Sequence, residues 1–303
     1  MPMARILITG ATGSLGRRVA LLAKAAGHTV LGTHVRPWIE AVQGQPGIST
    51  TNSTGTSTGI GADFAAAISP VRLDIRDREA VAEVVAAVRP DLVIHTAAGR
   101  DRNDWVTNAD GAANIALACG DRVRLVHVSS DAIFSGRAGR EYTEQDLPDP
   151  IYAYGAAKAA AETAVRAIAP GAAVVRTSLI IADGAGGHEQ LTYDLLAGRI
   201  DGALYTDEIR KPVHADDLAD ALLEIGAGDF SGVLHVAGAD AVSRYDLGVL
   251  VAERDGLDRG RLRSASGSGR PGDIRLDIGV ASKMLHTRLR GAYEFMRASA
   301  VPN

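Results

Sequence analysis

The sequence predicts an α/β fold, a doubly wound parallel sheet followed by a smaller lobe. Three observations carry that expectation. Short, nearly all-apolar runs recur through the first 180 residues, helix-period segments alternate with them, and a glycine-rich turn separates the first run from the first helix. The runs Arg5–Thr9, Thr29–Gly32, Val71–Leu73, Leu92–His95, Arg124–Val128 and Ala173–Arg176 are read as strands covered on both faces. Helices are expected to start near Gly13, Asp77, Asn103 and Tyr152. Past Ile181 the alternation loosens, with helices expected at Ala215–Ile225, Arg244–Asp255 and Thr287–Ala298 and one more strand at Gly232–Val236. Residues 1–180 are therefore read as the sheet domain and 181–303 as a second lobe, with exchange of chain between the lobes left open.

One segment breaks the pattern. Gly44–Gly61 is rich in Gly, Ser and Thr and lacks apolar periodicity, so it is read as a surface loop inserted between the second and third strands. It holds Gly55-Thr56-Ser57-Thr58-Gly59, a match to the G-x-S-x-G nucleophile pattern. A nucleophile elbow needs a buried strand leading into it, and none precedes this one, so chance in low-complexity sequence is the better reading.

Composition narrows the function. Thirty-six acidic against 32 basic residues give a net charge of −4, without the cationic excess that phosphate-backbone binding requires, so no nucleic-acid partner is expected. No apolar run approaches the ~18 residues of a membrane span, and strand-like sequence begins by Ala4, so a soluble cytoplasmic protein is expected. The single cysteine, Cys119, lies in an Ala-rich helical stretch and is read as a small core residue. The eight histidines are scattered without ligand spacing, and no metal site is expected.

The strand Arg5–Thr9 runs into Gly10-Ala11-Thr12-Gly13-Ser14-Leu15-Gly16-Arg17 and then an amphipathic helix. Glycines there let backbone approach a pyrophosphate, and the helix start offers unpaired N–H groups and a positive dipole end. This arrangement is that of a Rossmann-type dinucleotide site, with Gly10, Thr12, Gly13, Ser14, Leu15 and Gly16 against the cofactor. An NAD site usually carries an acidic residue at the end of the second strand. Here the stretch is Gly32-Thr33-His34-Val35-Arg36, and Arg36, with Arg17 or His34, can pair with a 2′-phosphate. NADP(H) is the expected cofactor, with NAD(H) as the alternative.

Tyr154 and Lys158 stand four apart on an expected helix, so phenol and ammonium project from one face. An adjacent ammonium brings a phenol near pKa 10 toward the working range for proton donation. The strand Arg124–Val128 ends in Ser129-Ser130-Asp131, and ligand sites in open parallel sheets lie at such carboxyl ends.

The glycine turn, His95-Thr96-Ala97-Ala98-Gly99, Asn108, Ser129-Ser130-Asp131, Tyr154-x-x-x-Lys158 and Arg176-Thr177-Ser178 together resemble an extended short-chain dehydrogenase/reductase over roughly the first 180 residues. The stretches His127–Gly136, Tyr154–Lys158 and Arg176–Ser178 are most similar to its dTDP-4-dehydrorhamnose reductase branch. Arg210–Ala219 is similar to the family's substrate-lobe motif. The resemblance implies Tyr154 as proton donor, Lys158 as binder of the nicotinamide ribose, Ser130 as polariser of the substrate carbonyl and Asn108 as support for Lys158 and a relay water. It implies that Asp74 and Ile75 lie by the adenine, Ala97 and Ala98 against the cofactor, and Thr177 near the nicotinamide. Ser130 and Asp131 would meet the substrate, and Arg210, Lys211 and Arg270 are the candidates for its diphosphate. Tyr152, six positions from Lys158, is set aside as facing elsewhere.

Two departures bear on the substrate. Arg100-Asp101-Arg102-Asn103-Asp104 stands where the branch has an acidic stretch, and the 44–61 insertion is foreign to it. Ala132 occupies the place of the acid that related dehydratases use for elimination, which disfavours dehydration. The expected function is NADPH-dependent reduction of a keto group on a nucleotide-activated deoxysugar. Alternatives are a sugar-nucleotide epimerase, a reductase of another carbonyl, or a non-catalytic NADP-binding regulatory subunit. Whether the chain forms a homodimer is left open.

Overall fold

Arg5–Thr9 forms β1 because every residue from Ile6 onward is apolar or can be satisfied inside the fold, and the strand is buried from that point. A computed structural model of the chain describes residues 3–36, 38, 64, 67–99, 101, 103–267 and 269–298. Strands β1, β2 (Thr29–His34), β3 (Ser69–Arg72), β4 (Leu92–His95), β5 (Arg124–Ser130), β6 (Ala173–Thr177) and β7 (Gly232–His235) make one seven-stranded sheet in the order β7-β6-β5-β4-β1-β2-β3. Each pairing is parallel.

Alternate side chains leave the sheet on opposite faces. Ile6, Ile8, Val126 and Val175 pack toward α1 (Ser14–Ala25) and the later helix 215–227. Leu7, Val93, Leu125 and Val174 pack toward α2 (Arg78–Val88), α3 (Gly111–Cys119) and α4 (Ala153–Ile168). Past β6 come α5 (Gly187–Leu196), α6 (Ala215–Ala227), α7 (Arg244–Arg254), α8 (Gly279–Met284) and α9 (Ala292–Ala298). Short two-residue pairings brace this part, among them Val242–Ser243 antiparallel to Ile209–Arg210.

Several expectations shift. The strand expected in the second lobe is β7, the edge of the main sheet, and α6 packs on α1, because Leu218, Leu222, Leu234 and Val236 complete one sheet face. The helix expected from Asn103 opens with a π-helical turn, Val106–Asp110, ahead of α3. The helix expected from Thr287 begins only at Ala292, because Thr287 and Arg290 are tied to Glu224 and Asp217 of α6. Helix α5 has no clear signal in the sequence, because its buried His188, Glu189 and Thr192 interrupt the apolar period. The 44–61 insertion and its G-x-S-x-G match lie outside the described residues. Among the described residues no helix is long and apolar enough to cross a membrane.

Candidate active site

The site forms where the carboxyl ends of β1, β2, β4, β5 and β6 meet the first turns of α1 and α4. Gly10 sits at φ +71°, and a Cβ there would lie 2.7 Å from the Ala97 Cα. A Cβ on Gly16 would lie 2.4 Å from the Gly10 carbonyl oxygen. The turn and the helix start are thus in backbone contact, and Gly13 caps α1 without any side chain in the way. Gly10, Thr12, Gly13, Ser14, Leu15 and Gly16 form one wall of a cavity of about 650 Å³. Ala97 and Ala98 follow from β4, and Asp74, Ile75 and Arg76 close the end beyond β3. Ser130, Thr177, Tyr154 and Lys158 line the inner part, while Arg36 stands exposed on the lining beyond β2.

Not every expected residue faces this space. Arg17 lies on the inner side of α1, buried, its guanidinium 4.9 Å from the centre of the Phe64 ring; burial holds its pKa below the usual value. His34 turns back to the chain, its Nδ1 2.6 Å from the Arg36 carbonyl oxygen. Of the three groups considered for a 2′-phosphate, only Arg36 lines the cavity. The Asp74 carboxylate is clasped by Arg76 at 2.5 Å, which holds its pKa below the ordinary carboxylate value.

Tyr154 and Lys158 lie one turn apart on α4. Lys158 is buried, donates to the Val128 carbonyl at 2.7 Å, and has its pKa pushed down to about 8 by burial. Beside it His95 and His127 stack in register on β4 and β5. Burial and the Lys158 charge push His95 down to about 3 and His127 well below its usual value, so both are neutral. Ser130 caps the 3₁₀ turn Asp131–Ile133; its Oγ accepts from the Ala132 N–H at 3.2 Å and donates to Asp131. Ser129 points the other way and donates to Glu162 at 2.5 Å, and Glu162 pairs with the equally buried Arg176. A Cβ on Gly155 would lie 2.0 Å from the Ala132 carbonyl oxygen, so α4 and the Ser130 turn are held in direct backbone contact.

Asn108 does not line the cavity. It sits in the π turn, where such turns often mark functional sites. Its Oδ1 accepts from the Gly99 N–H at 3.1 Å and its Nδ2 donates to the Asp104 carbonyl at 2.8 Å, which fixes the loop carrying Ala97 and Ala98.

A second cavity, about 270 Å³, shares Tyr154 and is lined by Tyr152, Arg210, Arg270, Glu208 and Arg244 among others. Arg210 also donates to the carbonyls of Ile209, Pro271 and Gly272 at 2.6–2.8 Å. Lys211 lines neither cavity; it is buried against Glu141 at 2.9 Å. Asp131 is occupied by Ser178, which donates to it at 2.7 Å, with the Arg210 Nε 3.7 Å away. Sequence reasoning passed over Arg76, Glu208 and Arg244, which carry no motif, and set Tyr152 aside from its helix position alone. Elsewhere Asp183, His214 and Asp216 bring their ligand atoms within 4.8 Å of one another. Arg18 supplies the positive charge there, 3.5 Å from Asp183 and paired with Asp216.

A parallel sheet with a glycine cradle at its first strand, and a Ser, Tyr and Lys meeting at its carboxyl edge, defines an NAD(P)-dependent oxidoreductase of the short-chain type. The model of the RmlD substrate binding domain family matches residues 4–292, and the chain belongs to that family. It is 33% identical to a dTDP-4-dehydrorhamnose reductase of Mycolicibacterium smegmatis over 88% of this chain and 74% of that protein. It is 29% identical to a dTDP-4-keto-6-deoxy-D-glucose reductase of Streptomyces niveus over 86% and 81% of the two chains. The fold matches a dTDP-4-dehydrorhamnose reductase of Bacillus anthracis, solved with NADP, at a TM-score of 0.73 and 22% identity, covering 97% of each chain.

Proposed function

We propose that the chain reduces a keto group on a nucleotide-activated deoxysugar, of the dTDP-4-keto-6-deoxyhexose type, with NADPH. The observation that carries this reading is the position of Tyr154, which lines both the long glycine-walled cavity and the smaller one beyond it. The long cavity suits a dinucleotide. Gly10 and Gly16 let the turn, the start of α1 and the Ala97 backbone lie in direct contact, where a Cβ would force them apart, and the Thr177 Oγ1 is buried without a hydrogen-bond partner on its inner lining, where a carboxamide can satisfy it. When bound, a dihydronicotinamide supplies the hydride.

The residues of the chain do the rest. Gly13, Ser14 and the start of α1 hold the pyrophosphate, and Arg36 meets the 2′-phosphate. Lys158 holds the ribose and, as an ammonium beside Tyr154, favours release of the phenolic proton. Tyr154 gives that proton to the carbonyl oxygen, and the Ser130 hydroxyl turns its one O–H from Asp131, 3.3 Å away, to donate to the same oxygen as charge develops on it. Cys119 is buried with its thiol pushed up to about 12, an inert core residue that fits a cytoplasmic protein.

The reading is tested by following nicotinamide absorbance with NADPH and a panel of dTDP- and UDP-keto sugars. Oxidation with a dTDP-4-keto-6-deoxyhexose supports it, and a Tyr154→Phe variant should lose about 10²–10⁴-fold in kcat while binding NADPH as before. Turnover undiminished in Tyr154→Phe, or none with any sugar, defeats it.

A further inference from the structure

Glu208 is 1% exposed and precedes the short strand Ile209–Arg210 in the wall of the smaller cavity. Its backbone carbonyl accepts from the Arg244 N–H at 3.0 Å, and its Oε2 lies 3.1 Å from the Arg244 Nε. Its Oε1 is buried and has no hydrogen-bond partner. A buried carboxylate oxygen left unpaired is costly, so native structures seldom keep one without a reason.

The chemistry of that oxygen restricts what can answer it. A carboxylate only accepts hydrogen bonds. A diphosphate and a keto oxygen offer acceptors alone, which suits the arginines of this cavity and not Glu208. The donors on a sugar nucleotide are the hydroxyls of the sugars and the N–H of the base. Glu208 shares its cavity with Tyr154, whose phenol must reach the reacting carbonyl, so the group nearest to it belongs to the keto sugar. We propose that Glu208 is a specificity-determining residue whose Oε1 accepts a hydrogen bond from a ring hydroxyl of the substrate's hexose. The inference rests on the sugar-nucleotide reading above and adds the point of contact that selects the sugar.

The test is calorimetric titration of the NADP-loaded protein with dTDP-glucose, as a stable hydroxyl-bearing probe, and with dTDP, which lacks the hexose. In Glu208→Ala the dTDP-glucose Kd should rise on the order of 10–100-fold, the scale of a hydrogen bond to a charged group. The Kd values of dTDP and NADPH should stay put, which also shows that the variant is folded. Glu208→Gln, which keeps an acceptor oxygen, should recover part of the loss. Equal weakening of dTDP and dTDP-glucose would place the donor on the nucleoside and overturn the assignment; no weakening of either would leave Glu208 as a partner of Arg244 only and overturn it as well. Turnover of dTDP-4-keto-6-deoxyglucose is read separately. Turnover without the Glu208 discrimination sinks this inference alone, and discrimination without turnover sinks the reductase reading alone.

Discussion

Lys158 and Val128 are joined by a 2.7 Å hydrogen bond from the lysine ammonium to the strand carbonyl, two residues before Ser130. The bond holds α4 to the carboxyl end of β5, so the ammonium is buried at a set height beneath the site. Burial pushes its pKa down to about 8. Activity that depends on the ammonium should therefore fall as pH rises through about 8, and a pH profile of kcat/KM should show that alkaline limb. Stability moves the opposite way. The unfolded lysine titrates near 10.4, so between about 8 and 10.4 the unfolded chain binds more protons and this group's contribution to stability increases with pH.

Arg36 is the one cation among the three considered for a 2′-phosphate that lines the cavity. Removing it in Arg36→Ala should weaken NADPH about 10–100-fold while leaving NADH almost unchanged, the loss expected of one charge-assisted hydrogen bond. Fluorescence titration with both cofactors checks this. Equal losses for the two would assign Arg36 to the adenine ribose or to the loop.

At Gly155 the margin is set by backbone, since a Cβ would meet the Ala132 carbonyl at 2.0 Å. Gly155→Ala should push α4 away from the Ser130 turn. We expect a loss of about 1–3 kcal/mol in denaturant titrations and a lower kcat, because Tyr154 and Ser130 no longer meet the same oxygen.

Arg176 and Glu162 form an ion pair at 2.9 Å with side chains only 2% and 3% exposed. Arg176→Met alone strands the carboxylate and should cost about 3–5 kcal/mol. The triple change Arg176→Met, Glu162→Leu and Ser129→Ala should recover most of that stability in the same titration, since it also removes the buried Ser129 hydroxyl that donates to Glu162, whereas the first two changes alone leave that hydroxyl unpaired.

The central sheet was legible because its strands are apolar on both faces, and Leu92–His95 lies where the sequence places it; the edge strand β3 does not fit that reading, since it runs Ser69–Arg72 in place of Val71–Leu73 and is mostly exposed. What escaped were polar residues buried with partners from distant segments. Ser129 and Ser130 belong to β5 because Glu162 and Asp131 satisfy them, yet sequence alone ends that strand at Val128. Glu189 hides α5 in the same way, since its carboxylate accepts the N–H groups of Ala182, Gly184 and Gly186 from inside the fold. At the site, motif spacing marked Tyr154, Lys158 and Ser130, whose chemistry depends on neighbours in sequence. It could not tell Arg17 from Arg36, because which arginine lines the cavity depends on the face of α1, and Arg17 is on the face that packs against Phe64. Glu208 belongs to no motif; its interest arises only from a pairing with Arg244 that folding creates.

The return of α6 and β7 to the main sheet has a consequence for how the chain is made. α1, near the start, buries its apolar face against α6, and β6 gains its outer neighbour only from Gly232–His235. A ribosome must release some 235 residues before the main sheet has all its strands. Until then a partly built sheet shows an open edge and a bare helix to the cell, the state in which new chains are most prone to stick to one another. Cutting the gene after residue 180 would freeze the protein in that state, so exchanging sugar preferences between relatives calls for grafting single loops and not halves.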